Sequence, residues 1–242
     1  MSGGGVSLVQ MLAFSIILLC LVVVPVPGHA DHRSQYDYVV LTENQPIGTH
    51  RVNIQRKGND FEIEAETDLD VGFVPLTVFR FEHQRRELWH NWQLVESIAH
   101  TVKNDKIYDI KITRQATGYK RVVNGREDKF EDPVSILALW HSDLFTHHIF
   151  ISPLEDKLYR LSVQFVDREQ IEIGDQWVQA LHYQMTGDSE RDLWYDESGH
   201  VLKVRLHDYS LVIDYVLDRG NLGHTIASKS PERLYPARSK GR

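Results

Sequence analysis

Along FEIEAETDLDV, residues 61–71, apolar and acidic positions alternate without a break. Phe61, Ile63, Ala65, Thr67, Leu69 and Val71 fall on one side of an extended chain. Glu62, Glu64, Glu66, Asp68 and Asp70 fall on the other. A helix would scatter the acids around its circumference, whereas a strand sorts them onto one face. The preceding GTHRVNIQRK gathers Arg51, Asn53, Gln55 and Lys57 on one face, and KGND between the two runs reads as a hairpin loop. A basic and an acidic row then face each other across the pair. The same period runs through LTVFRFEHQRRELWH, QLVESIAHTVK, KIYDIKITRQ, KLYRLSVQFVDREQIEIG, QWVQALHYQMTG, RDLWYDE, HVLKVRL and SLVIDYVL. The separators are short and rich in Gly, Asn and Asp, which supply the positive φ of tight turns. Strands adjacent in sequence are therefore adjacent in an antiparallel meander, and no long-helix alternation points to a parallel sheet.

One segment breaks this rhythm. In DPVSILALWHSDLF, Asp132 is placed as an N-cap and Pro133 as a first helical residue, with Ile136, Leu139, Trp140 and Leu144 at helical spacing. The expected fold is mainly β: a single curved antiparallel sheet, half-barrel or barrel-like, with one short central helix across its concave face.

Composition adds compartment and boundaries. Of 242 residues, 42% are hydrophobic and 25% charged, an ordinary globular balance. Residues 1–28 carry no charge, Leu12–Val26 is almost unbroken apolar sequence, and Gly28 and Ala30 suit a signal-peptidase site. The reading is a signal peptide, 1–30, with the protein exported, periplasmic or secreted, after cleavage near Ala30; an uncleaved membrane anchor is the alternative. A β-rich domain is expected over 31–218 and a flexible basic tail over 219–242. From Arg219 onward the chain is +5, so within a net charge of −7 the remainder is −12. An acidic body argues against a nucleic-acid partner, while the tail offers weak contact with a membrane surface. The single cysteine, Cys20, lies in the leader, so the mature chain would hold no disulfide, thiolate nucleophile or Cys-ligated zinc.

Candidate chemistry is sparse. There is no G-x-S-x-G, H-E-x-x-H, P-loop or G-x-G-x-x-G, and no cofactor is implied. His141, Asp143, His147 and His148 cluster in WHSDLFTHHIF as the metal candidates, although their spacing aims them in different directions. His83 and Glu87 share a face with Phe79, Phe81 and Trp89; they form a candidate acid–base pair or a buried structural pair. The aromatics expected to face inward, Phe79, Phe81, Trp89, Trp140, Tyr183 and Trp194, together with His83 and Glu87, are the candidate ligand-binding set.

PIGTHRVNI, H…RELW, QLVESIAHTVKND, DPVSILALWHSDL and DLWYDESGHVLKVRL…IDYVL, in that order, resemble the DUF6134 family of exported proteins over roughly residues 36–217. The resemblance implies a sheet-rich fold, loosely similar to curved half-barrel envelope proteins, and no activity. The expected function is non-catalytic binding of a lipid-like or other apolar small molecule on the concave face. The alternatives are an enzyme using the His/Glu pair or the His-rich cluster, and an envelope scaffold or partner-binding protein.

Overall fold

The structure, a computed structural model, describes residues 32–73, 76–208 and 211–218. The leader and the basic tail lie outside the described residues. All fifteen strands join in one sheet. The first eight form an antiparallel meander: β1 (His32–Thr42), β2 (Gln45–Lys57), β3 (Asp60–Phe73), β4 (Leu76–His90), β5 (Gln93–Lys103), β6 (Lys106–Arg114), β7 (Tyr119–Val123) and β8 (Arg126–Phe130). A second run holds β9 (Ser135–Ile136), β10 (Ile149–Ile151), β11 (Leu158–Ile173), β12 (Gln176–Gly187), β13 (Glu190–Tyr195), β14 (Val201–Asp208) and β15 (Leu211–Leu217). The two runs join where β1 pairs antiparallel with β15, from Tyr38 opposite Leu217 to Thr42 opposite Ile213. The edges are therefore β8 and β9.

The alternation of sequence sets the faces. In β3, Ile63, Ala65, Thr67 and Leu69 are buried and Glu64, Glu66, Asp68 and Asp70 exposed. The expected basic and acidic rows do meet, with Arg51 opposite Glu66 and Gln55 opposite Glu62. Two-residue turns set the register. Glu43–Asn44, Asn91–Trp92 and Asn124–Gly125 all carry positive φ at both positions, the turn geometry whose twist matches that of paired strands.

The curl of the sheet follows from lengths. Laid flat, fifteen strands would span about 67 Å. Yet the two edges are connected by residues 131–134 alone, which reach at most about 18 Å when fully extended. The sheet must roll until its edges nearly meet. No ladder closes it; side chains do. Arg121 on β7 reaches Asp156, beyond β10, at 2.6 Å and donates to the Lys157 carbonyl at 3.0 Å. Arg126 on β8 also pairs with Asp156, and Lys103 on β5 lies 3.7 Å from Glu155.

The expected central helix is not formed. Asp132 does not cap a helix; its carboxylate takes two hydrogen bonds from Arg114, at 3.0 and 2.9 Å. Ser135–Ile136 instead pairs parallel with β10, and Leu137 N–H donates to the Ile151 carbonyl at 3.0 Å. Only a 3₁₀ turn, Ser142–Phe145, remains. Burial here is consecutive: Val134 to Ala138 all lie below 6% exposure, while Leu139 and Trp140 of the expected helical side are half-buried. That run has no helical period, because the segment is enclosed on all sides. Extended and irregular, it packs into both halves of the core: Val134, Ile136 and Ala138 with one cluster, Leu137 and Leu144 with the other.

Candidate functional site

A row of polar side chains crosses the interior. Tyr38, His50, Thr67, His83 and Thr101 are successive register partners on β1 to β5. His50 Nδ1 lies 2.8 Å from Thr67 Oγ1, and His83 Nδ1 lies 2.9 Å from Thr101 Oγ1. Tyr38 donates its hydroxyl proton to the Val201 carbonyl at 3.0 Å. Burial, reinforced by the Arg85 charge, pulls His50 down to about 4 and His83 to about 2. Both imidazoles are neutral at physiological pH. His83 is 2% exposed, and its Nε2 has no partner.

Beside this row lies a cavity of about 530 Å³. One wall carries Tyr36, Tyr38, His50, Val52, Phe61, Phe81 and His83. The buried segment supplies Leu137, Leu139 and Trp140, and β13–β15, continuing the sheet beyond β1, supply Arg191, Val204, Leu206 and Tyr215, whose ring lies 5.7 Å from that of His50. Small-molecule sites commonly span ~300–1,000 Å³, with an apolar lining and a few convergent polar groups. Among the described residues no Asp or Glu lines this cavity, while Arg85 and Arg191 do. Arg85 is flanked in register by Ala65 and Ala99, whose small side chains leave room for its head. A second hollow, about 660 Å³, runs along charged surface residues such as Arg51, Glu64, Arg86 and Lys111 and is open to solvent.

The segment roofing the cavity is pinned from both sides. Tyr195 donates its hydroxyl proton to the Leu139 carbonyl at 2.7 Å. His141 Nε2 lies 2.9 Å from the Trp92 carbonyl, and Asp143 N–H donates to His141 Nδ1 at 3.2 Å. Together these contacts select the neutral tautomer with the proton on Nε2, in keeping with the downward shift that burial gives His141. Trp140 meets Trp89 edge to face at 4.7 Å between centroids. Trp92 holds φ +67, uncommon for a bulky residue. Its indole packs on Phe61 at 4.5 Å.

Of the sequence-derived ligand set, Phe81, His83 and Trp140 line the cavity. Phe79 stacks on Phe81 at 6.3 Å. Glu87, fully buried, lies behind the wall, where its Oε2 accepts from Trp89 Nε1 at 2.9 Å and its Oε1 sits 3.0 Å from Arg85 Nε. His83 and Glu87 thus spend their bonds on different neighbours. Tyr183 packs with Phe145, Phe165 and Tyr195 in the second cluster. Trp194 alternates with inward Leu193 and Tyr195. It stacks on His182 at 4.6 Å, and its Nε1 donates to Glu169 Oε1 at 2.6 Å.

Among the metal candidates, Asp143 accepts from Ser135 Oγ at 2.7 Å and has His141 and His147 within 3.5 and 3.9 Å. His148 turns away to the Leu161 carbonyl at 3.3 Å. Among the described residues, no group of three metal-ligating side chains is arranged to hold an ion.

Arg85, Arg191, His50 and Tyr215 were missed. Arg85 and His50 share the parity of Phe81 and Val52 respectively, and that parity was the available signal. Arg191 shares the parity of Leu193 and Tyr195, but a charge at a strand end reads as solvated.

A family model described as "Domain of unknown function (DUF6134)" matches residues 38–218. No curated protein matches the sequence. A crystal structure from Brucella abortus, described as a beta-barrel-like protein of domain of unknown function DUF1849, superposes with a TM-score of 0.54 at 9% identity. The match covers 77% of this chain and 95% of that one, and shows a shared fold alone.

Proposed function

This chain belongs to the DUF6134 family, whose description carries no activity, and we propose from the cavity that it is an exported, non-catalytic protein that binds an apolar or amphipathic small molecule. The observation that carries this reading is the cavity of about 530 Å³ between the sheet and the 134–145 segment, with a largely apolar lining and, among the described residues, no acidic group. A well-packed core leaves few voids larger than a water molecule, so a hollow of this size at the centre of a rolled sheet calls for an occupant. The catalytic alternative draws no support from His83 and Glu87, whose hydrogen bonds go to Thr101 and Trp89. Export rests on the uncharged apolar leader and the small residues at Gly28 and Ala30.

Native mass spectrometry of protein purified from its own envelope tests both parts. The expected result is a chain beginning at Asp31 that carries one small molecule. Stripped protein then binds the neutral dye N-phenyl-1-naphthylamine saturably, at one per chain. Neither a co-purifying molecule nor saturable dye binding would defeat the binding reading, and a retained leader would defeat cleavage near Ala30.

A further inference from the structure

Building on the reading of the cavity as a ligand site, we propose that its occupant is an anionic single-chain amphiphile whose carboxylate or phosphate head is held by Arg191. The chain without its tail is strongly acidic, yet among the described residues no Asp or Glu lines the cavity and two arginines do. Arg85 is compensated by the fully buried Glu87 at 3.0 Å. Arg191 is not: among the described residues its hydrogen bond goes to Ser189 Oγ, at 3.2 Å, and it forms no ion pair. Glu155, a carboxylate whose charge acts on it through space, is already engaged by Tyr159, by Lys157 at 3.2 Å and by Lys103 at 3.7 Å.

A guanidinium remains charged at any physiological pH. A half-buried and uncompensated one bears part of the cost of a buried charge, which an anion relieves, and its planar fork matches a carboxylate or phosphate. Tyr215 supplies a second donor on the same wall. It is the register partner of Val204, itself opposite Leu193, two residues from Arg191 along β13. Burial pushes Tyr215 up to about 12, so its hydroxyl keeps its proton. Ile54, Phe61, Ile63, Leu137 and Leu139 of the lining offer hydrocarbon to a chain. His83 Nε2, buried and without a partner, is a further group for a polar substituent.

Displacement of N-phenyl-1-naphthylamine by dodecanoate, dodecyl phosphate and dodecanol tests the assignment, with acetate and inorganic phosphate as heads without chains. The expected order places dodecanoate or dodecyl phosphate about 10- to 100-fold tighter than dodecanol, the worth of a charged hydrogen-bonded head. Neither acetate nor phosphate should displace the dye. Arg191→Met should lower the anion's affinity to that of the alcohol, Arg191→Lys should restore part of it, and the exposed outer-face variant Arg86→Met should change nothing. Ligand-free Arg191→Met should melt at or above the wild-type temperature, because an uncompensated cation has been removed. Equal binding of acid and alcohol overturns the proposal and leaves the cavity reading intact. The same holds if Arg191→Met keeps the preference, melts lower than wild type, or if inorganic phosphate competes as well as the amphiphile. Failure of both dye and dodecanol to bind would instead remove the cavity reading, and this proposal with it.

Discussion

His50 and His83 show what a single residue contributes when the fold dictates its charge. Unfolded, each imidazole takes up a proton near 6.5; folded, His50 resists protonation to about 4 and His83 to about 2. Below pH 6.5 the unfolded chain binds more protons than the folded one, so stability falls as pH falls. It is complete above that point and lost progressively through the folded values. Each histidine contributes a slope of about 1.4 kcal/mol per pH unit in this window. Urea unfolding from pH 7 to pH 4 should therefore show a midpoint that declines steeply, and His50→Gln and His83→Gln should each flatten it. An unchanged slope in both variants would mean that the folded protein protonates these rings freely. The inward placement of His83 was legible because it shares the parity of Phe79 and Phe81. The partners were not: Thr67 and Thr101 come from other strands, and only the register between strands assigns them.

At the scale of elements, the seam between β7–β8 and the 152–157 turn takes the place of a missing ladder. Arg121 is 5% exposed and holds Asp156 at 2.6 Å, Asp128 at 3.1 Å and the Lys157 carbonyl, with Phe130 under its guanidinium at 5.0 Å. Arg126 reaches the same two acids from the surface. Breaking a buried pair costs about 3 kcal/mol, discounted a little here because the acids are partly wet. Breaking an exposed one costs under about 1 kcal/mol. Arg121→Ala should accordingly lower the unfolding free energy by about 2–3 kcal/mol and Arg126→Ala by a few tenths, read from denaturant midpoints; equal losses would show that the buried contact closes nothing. The long strands were readable from sequence, and β4 runs from Leu76 to His90 as its alternation implied, but the short β8, β9 and β10 were not. Asn91–Trp92 announced its turn, whereas Asn124–Gly125 was recognised as one only in the structure. The central segment misled because Asp132 and Pro133 carry a helix-start signature, while its consecutive buried residues answer to enclosure by two walls and not to a period of its own.

For the molecule as a whole, stability should grade from seam to centre. β8 and the two-residue β9 each pair on one side only, whereas β1 and β15 are flanked on both. Hydrogen exchange of the intact protein should open β8 and β9 first and the β1–β15 ladder last, and the reverse order would be incompatible with a sheet whose edges are held by side chains. Sequence implied a curved sheet around an apolar interior. It did not imply that the first and last described strands meet in the middle of that sheet, because this pairing spans more than 170 residues and no local pattern encodes it.

That pairing bears on how the chain assembles. Every other antiparallel contact in the sheet joins near neighbours in sequence, and such hairpins can form in microseconds. The β1–β15 ladder must instead close a loop of nearly the whole domain, and long-range closure slows folding. Each half can curl early, but Val40 waits for Tyr215. Until β15 arrives, β1 is an open edge able to accept a strand from another copy. The interval between making β1 and making β15 is therefore when the protein is most exposed to misassembly.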